Sequence, residues 1–170
     1  GPNSTTATEL AAIAIGSDSK ALGNSSLAIG DSANAIQENA IAVGRNSNAS
    51  NIGATAIGNN ANAAIIATAV GNNTAASGRG ASAFGTSANA TGAQATAIGF
   101  LAKATNTNTT AIGQNASAAG TDSIALGSTA NATSNDSVAI GNGANAKNLS
   151  DVALGAGSVT GARNSLTSIK

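Results

Sequence analysis

Eleven times along this chain an Ala is followed by a large apolar residue and then a Gly. The glycines are Gly16, Gly30, Gly44, Gly58, Gly71, Gly85, Gly99, Gly113, Gly127, Gly141 and Gly155. Every step is fourteen residues except Gly58 to Gly71, which is thirteen. A fixed period of this kind marks a repeat architecture. Each unit is one supersecondary element that buries its core only by stacking on its neighbours.

Aligning the units on the Gly gives columns. One column, immediately before the Gly, runs from Ile15 and Ile29 to Ile140 and Leu154. Another, three before it, runs from Ile13 and Leu27 through Thr55, Thr68, Ser82, Thr96 and Thr110 to Val152. Two-residue spacing puts both columns on one face of a strand and argues against a helix, whose apolar spacing is 3.6. After the Gly a second alternation begins. The positions three and five beyond it are small, as in Ala33 and Ala35 or Ala88 and Ala90. The residues between them are mostly Asn or Lys: Asn34, Asn48, Asn62, Asn89, Asn131 and Asn145, with Lys20 and Lys103. Each unit therefore reads as strand, Gly corner, strand, connection. The sequence predicts an all-β parallel solenoid of fourteen-residue, two-strand coils, with the large apolar columns and the small columns turned inward.

Stacking is an energetic necessity. Ordering one unit costs about 1–2 kcal/mol per residue. Burying one Ile or Leu returns only about 1.5–3 kcal/mol. Continuous hydrogen-bond ladders and like-on-like contacts make up the difference, and eleven coils at roughly 4.8 Å each give a rod core of about 53 Å.

By the same alternation the column two before the Gly points out of the roll. It holds Ala14, Ala28, Ala42, Ala56, Ala69, Ala83, Ala97, Ala111, Ala125, Ala139 and Ala153. Ala is a poor strand former, so β propensity does not explain eleven in a row. Two readings stand. The column is a crowded corner that admits only a small side chain, or it is a face packed closely against another chain. The second makes these alanines the expected subunit interface of a closed cyclic oligomer, with the Asn strand in solvent.

Asp136-Ser137-Val138-Ala139-Ile140-Gly141 resembles the Asn-Ser-Val-Ala-Ile-Gly repeat of the YadA-like head domains of trimeric autotransporter adhesins, and Ser123-Ile124-Ala125-Leu126-Gly127 and Ser26-Leu27-Ala28-Ile29-Gly30 are similar to it. The likeness extends from about Leu10 to Thr160. It implies a left-handed parallel β-roll assembled as a homotrimer. It also implies display on the Gram-negative outer membrane and attachment to host extracellular matrix or cells. Residues 9–160 are expected to be the head, 1–8 an N-terminal extension, partly a tag remnant, and 161–170 a decaying repeat. No neck motif, heptad stalk or amphipathic anchor strands are visible, so membrane attachment would come through a C-terminal anchor outside this chain.

Composition narrows the function classes. The chain has no Cys or His, and seven Lys plus Arg balance seven Asp plus Glu. Imidazole bases, thiolate nucleophiles and the usual transition-metal ligands are absent, so neither an enzyme nor a metal or other cofactor is expected. Zero net charge and only two Phe as aromatics argue against nucleic acid as a partner. The acids are scattered, with Asp18 and Asp31, and Asp122 and Asp136, one coil apart. Candidate ligand-facing residues are the outward Asn column and Phe100-Leu101, and Ile65-Ile66 in the short unit is a second apolar feature. A passive trimeric shaft, such as a phage fibre segment, is the alternative to an adhesin head. An ice-binding surface is disfavoured, because the Thr cluster falls in a column expected to face inward. An acyltransferase β-helix is disfavoured because its six-residue period does not divide fourteen.

Overall fold

The computed structural model describes residues 4–161. Among these residues two parallel sheets of eleven strands each run side by side. A wide sheet is built from three-residue strands, Ile13–Ile15 to Val152–Leu154. A narrow sheet is built from two-residue strands, Thr6–Ala7 to Asn145–Ala146. Each strand pairs with the equivalent strand one coil away, as Ala97 does with Ala111 and Asn131 with Asn145. The first strand, Thr6–Ala7, already pairs with Lys20–Ala21. The roll thus begins inside the segment expected to be an extension. Of the expected terminal segments, residues 1–3 and 162–170 lie outside the described residues.

Both corners of a coil are the same device. Ser19 N–H donates to the Gly16 carbonyl across a four-residue turn, 3.4 Å, and Ser26 N–H donates to the Gly23 carbonyl, 3.1 Å. The third residue of each turn is left-handed: Asp18 has φ 54° and Ser25 φ 55°. That is the type II pattern, which favours Gly, Asn, Asp or Ser. Left-handed residues follow at Ser32, Asn39 and Asn46, so a coil is two seven-residue halves. In the short unit the step is six, from Asn60 to Ile66. The deletion falls in the connection Ala64–Ala67, and pairing continues undisturbed on both sides, Thr55 with Thr68 and Asn62 with Ala75.

The repeated Gly opens the first corner of each coil. Gly113 has φ +132°, and a Cβ there would stand 2.5 Å from the Gly127 carbonyl oxygen of the next coil. A side chain is excluded both by its own backbone and by the coil beside it.

The expected orientation of the wide sheet is reversed. Ala28, Ala42, Ala56, Ala69, Ala83, Ala97, Ala111, Ala125 and Ala139 are fully buried within the single chain, Ala153 nearly so, and Ala14, in the first coil, is half-buried. They point into the roll and offer no surface to a partner, so they are not a subunit interface. The Ile, Leu, Val and Thr columns beside them point outward. The reason is volume. Four columns share the interior: the positions four and two before the Gly and three and five after it. Apart from Asp151 they hold only Ala, Ser and Thr, and among the described residues no fully buried side chain is larger than Thr74 or Thr109. Sheets that pack on branched aliphatics lie about 10 Å apart. Two short turns cannot hold a coil that far open, so only small side chains fit between.

Several polar members of this interior are satisfied by nearby carbonyls. Ser19, Ser47 and Thr109 donate their hydroxyls to the first carbonyl of their own turn, at 2.9, 2.8 and 2.6 Å, and Thr74 donates to the Gly85 carbonyl of the next coil at 2.6 Å, whereas the hydroxyls of Ser26 and Ser123 are buried without a partner. Such bonds remove the penalty of burying a hydroxyl.

Candidate functional site

With the interior filled by alanine, the large side chains are left outside. The wide sheet presents two adjacent apolar columns. Phe84, Ile98, Ile124 and Leu126 are each about two-fifths exposed, at 39, 38, 39 and 41%. Ile15, Ile29, Val43, Ile57, Val70, Ile112, Ile140 and Leu154 continue one column along the rod. In the second column Thr55, Thr68, Ser82, Thr96 and Thr110 form a hydroxyl-bearing middle between aliphatic ends. The Thr cluster therefore faces outward, contrary to the sequence expectation that set aside an ice-binding surface. It occupies only the central coils, and bulky apolar residues flank it throughout. A contiguous apolar stripe of this length is what an interaction face looks like.

The narrow sheet presents the opposite chemistry. Asn34, Asn48, Asn62, Asn89, Asn131 and Asn145 all stand on its outer face, as the alternation predicts, most of them half-buried by the neighbours above and below. Asn48 Nδ2 donates to Asn62 Oδ1 one coil on, 3.0 Å, and Asn34 Nδ2 donates back to the Ser32 carbonyl, 3.2 Å. The Oδ1 atoms of Asn89 and Asn145 are buried without a partner. At the Gly corner a second amide cluster forms: Asn60 Nδ2 donates to Asn73 Oδ1 at 3.0 Å, and Asn73 Nδ2 to Asn72 Oδ1 at 2.7 Å.

Phe100-Leu101 and Ile65-Ile66 do not come together. Phe100-Leu101 occupies the Gly corner, with Phe100 49% exposed and Leu101 left-handed at φ 58°. Ile65-Ile66 occupies the other corner, beside Ile52 of the preceding coil. That second corner was legible only as a loop, because most of its left-handed residues are not glycine.

Among the described residues the acids do not assemble into a catalytic arrangement. Asp122 and Asp136 stack in one corner column, and Asp122 Oδ1 accepts from Asn108 Nδ2 at 2.9 Å. Asp18 and Asp31 fall in different columns of the turn, Asp18 at its left-handed position and Asp31 one place earlier. Among the described residues no three acids approach closely enough to hold a metal ion.

The profile of the YadA head domain repeat (two copies) matches residues 7–33, 35–61, 67–88, 76–102, 90–116, 104–130, 118–144 and 132–158. The chain belongs to the YadA head family. By structure the head is similar to the collagen-binding domain of the Yersinia adhesin YadA, with a TM-score of 0.56 and 28% sequence identity, covering 87% of this chain and 75% of that one. No curated protein matches it by sequence. Membership makes this YadA-like head an adhesin-type domain and not an enzyme, in keeping with the dispersed carboxylates.

Proposed function

We propose that this YadA-like head attaches a Gram-negative cell surface to host extracellular matrix, with collagen as the first ligand to test, working as a left-handed homotrimer anchored through segments outside this chain. The observation that carries the reading is the contrast between the two outer faces. The apolar face of the wide sheet is the surface that identical chains would share, replacing the Ala column in that role. A rod whose Ile and Leu columns stay in water would bear an apolar stripe about 50 Å long. Closing three such faces on one another removes it. The Asn-rich narrow face then remains outside, offering amides on six of its eleven strands. Individually weak contacts repeated along three chains add by effective concentration. The similarity to a collagen-binding domain directs the choice of ligand.

The test is binding of the intact chain to immobilised collagen, with albumin as control, beside its mass by light scattering. Adhesion predicts saturable collagen binding that weakens when the assembly is broken. A stable trimer that ignores collagen, other matrix proteins and host cells would leave a passive shaft instead.

A further inference from the structure

The short coil departs from its neighbours in a way that the roll does not require. Ile65 and Ile66 stand at the second corner, 43% and 58% exposed, with Ile52 of the preceding coil 54% exposed beside them. Ile66 takes the left-handed conformation, φ 54°. Equivalent corner positions hold residues such as Ser25, Asn39, Asn108 and Asp122. A β-branched residue there is strained as well as exposed. The repeat profile passes over residues 62–66, which hold this corner.

Beyond Ile66 the surface is notched. Gly80 occupies the next left-handed position of this corner and Gln94 the one after, its Cγ 3.9 Å from where a Cβ on Gly80 would stand. Ile66, Arg79, Gly80, Ala93 and Gln94 enclose an open cavity of about 370 Å³, within the range that accepts small ligands. Arg79 is exposed at its rim. The nearest acids in the two corner columns are Glu38 and Asp122, each three coils away. That is about 14 Å, beyond the Debye length of roughly 8 Å in physiological salt. The guanidinium is thus an unmatched cation beside an apolar wall.

We infer that this notch docks a peptide segment of a partner protein in which an apolar side chain is followed by a carboxylate. The apolar side chain fills the space over Gly80 against Ile66. The carboxylate meets Arg79, whose planar fork suits two-point recognition. Gln94 supplies an amide to the peptide backbone. The unmatched positive charge selects the acidic partner, and the exposed isoleucines select its apolar neighbour. None of this depends on collagen binding or on the number of chains.

The experiment is a titration of the intact, isotope-labelled chain with acetyl-Leu-Glu-amide, followed by amide chemical shifts, with no matrix protein present. Shifts confined to residues 65–66, 79–80 and 93–94 are expected. Affinity should fall about tenfold, the scale of one charge-assisted hydrogen bond, for Arg79→Gln and equally for acetyl-Leu-Gln-amide on the parent. Ile66→Asn should also lose binding while melting no lower than the parent, since Asn suits the left-handed corner. Equal binding of the neutral peptide, shifts spread along the rod, or none up to the solubility limit would overturn the assignment. So would a fall in assembly mass on Ile66→Asn, which would make the occupant a second copy of the chain.

Discussion

At the scale of single residues, position in the coil matters more than residue type. Ala111 and Ile112 are neighbours in sequence and opposites in environment, one sealed inside and the other facing out. Ala111→Glu should unfold the chain, because a carboxylate there has neither room nor partner; circular dichroism would show loss of β signal. Ala97→Leu should cost at least about 1–3 kcal/mol by overpacking, read from denaturant midpoints. Gly113→Ala should be as damaging for a different reason, the Cβ running into the Gly127 carbonyl. Leu101→Asn should instead stabilise by on the order of 1 kcal/mol, since its backbone is left-handed and Asn tolerates that conformation better. A Leu101→Asn variant that melts lower than the parent would show that packing of the Leu side chain outweighs its backbone strain.

At the scale of elements, each sheet has one face for its own chain and one for the outside. The outer columns of the wide sheet should therefore control association. Ile112→Glu is expected to reduce the mass seen by light scattering toward that of one chain, with Asn131→Glu on the narrow sheet neutral within about 0.5 kcal/mol. An Ile112→Glu assembly of unchanged mass would show that the wide face does not join the chains. The strands, their parallel stacking and the small inward columns of the narrow sheet were legible in sequence, because a two-residue alternation repeated at a fixed period leaves little choice of fold. Orientation of the wide sheet was not legible, because the habit of placing large apolar residues inside assumes a gap that can hold them. The deciding signal was nevertheless present. Ala33 and Ala35, like Ala88 and Ala90, line the gap from the narrow side, so whatever faces them shares the same small space. An unbroken Ala column fits there and an Ile column does not. The second corner could be read only as a connection, because Ser25, Asn39 and Asp136 reach the left-handed conformation without glycine. Ile65-Ile66 and Phe100-Leu101 could be marked as departures from sequence alone, one in the connection of the short unit and the other directly after Gly99, and the fold sets them on opposite corners.

At the scale of the whole molecule, stability is a sum over coils and the contacts between neighbours. Deleting residues 86–99, one complete coil, joins Gly85 to Phe100 and keeps every later residue in its column. That variant should fold, melt slightly lower than the parent and retain its β spectrum. Deleting seven residues should fail, because it sets narrow-sheet residues against wide-sheet ones; a folded seven-residue deletion would show the two halves to be interchangeable. The uniform alanine interior has a consequence for descent. A core of matched, irregular side chains ties each part of a protein to one set of neighbours, whereas here the filling between the sheets is nearly the same at every level. Unequal exchange between two in-register repeats in the gene would yield a longer or shorter rod whose new junction is already fitted. Length can drift by whole coils while the cross-section is held constant, and the short coil ending at Gly71 gives such a rod a landmark from which distance along it can be counted.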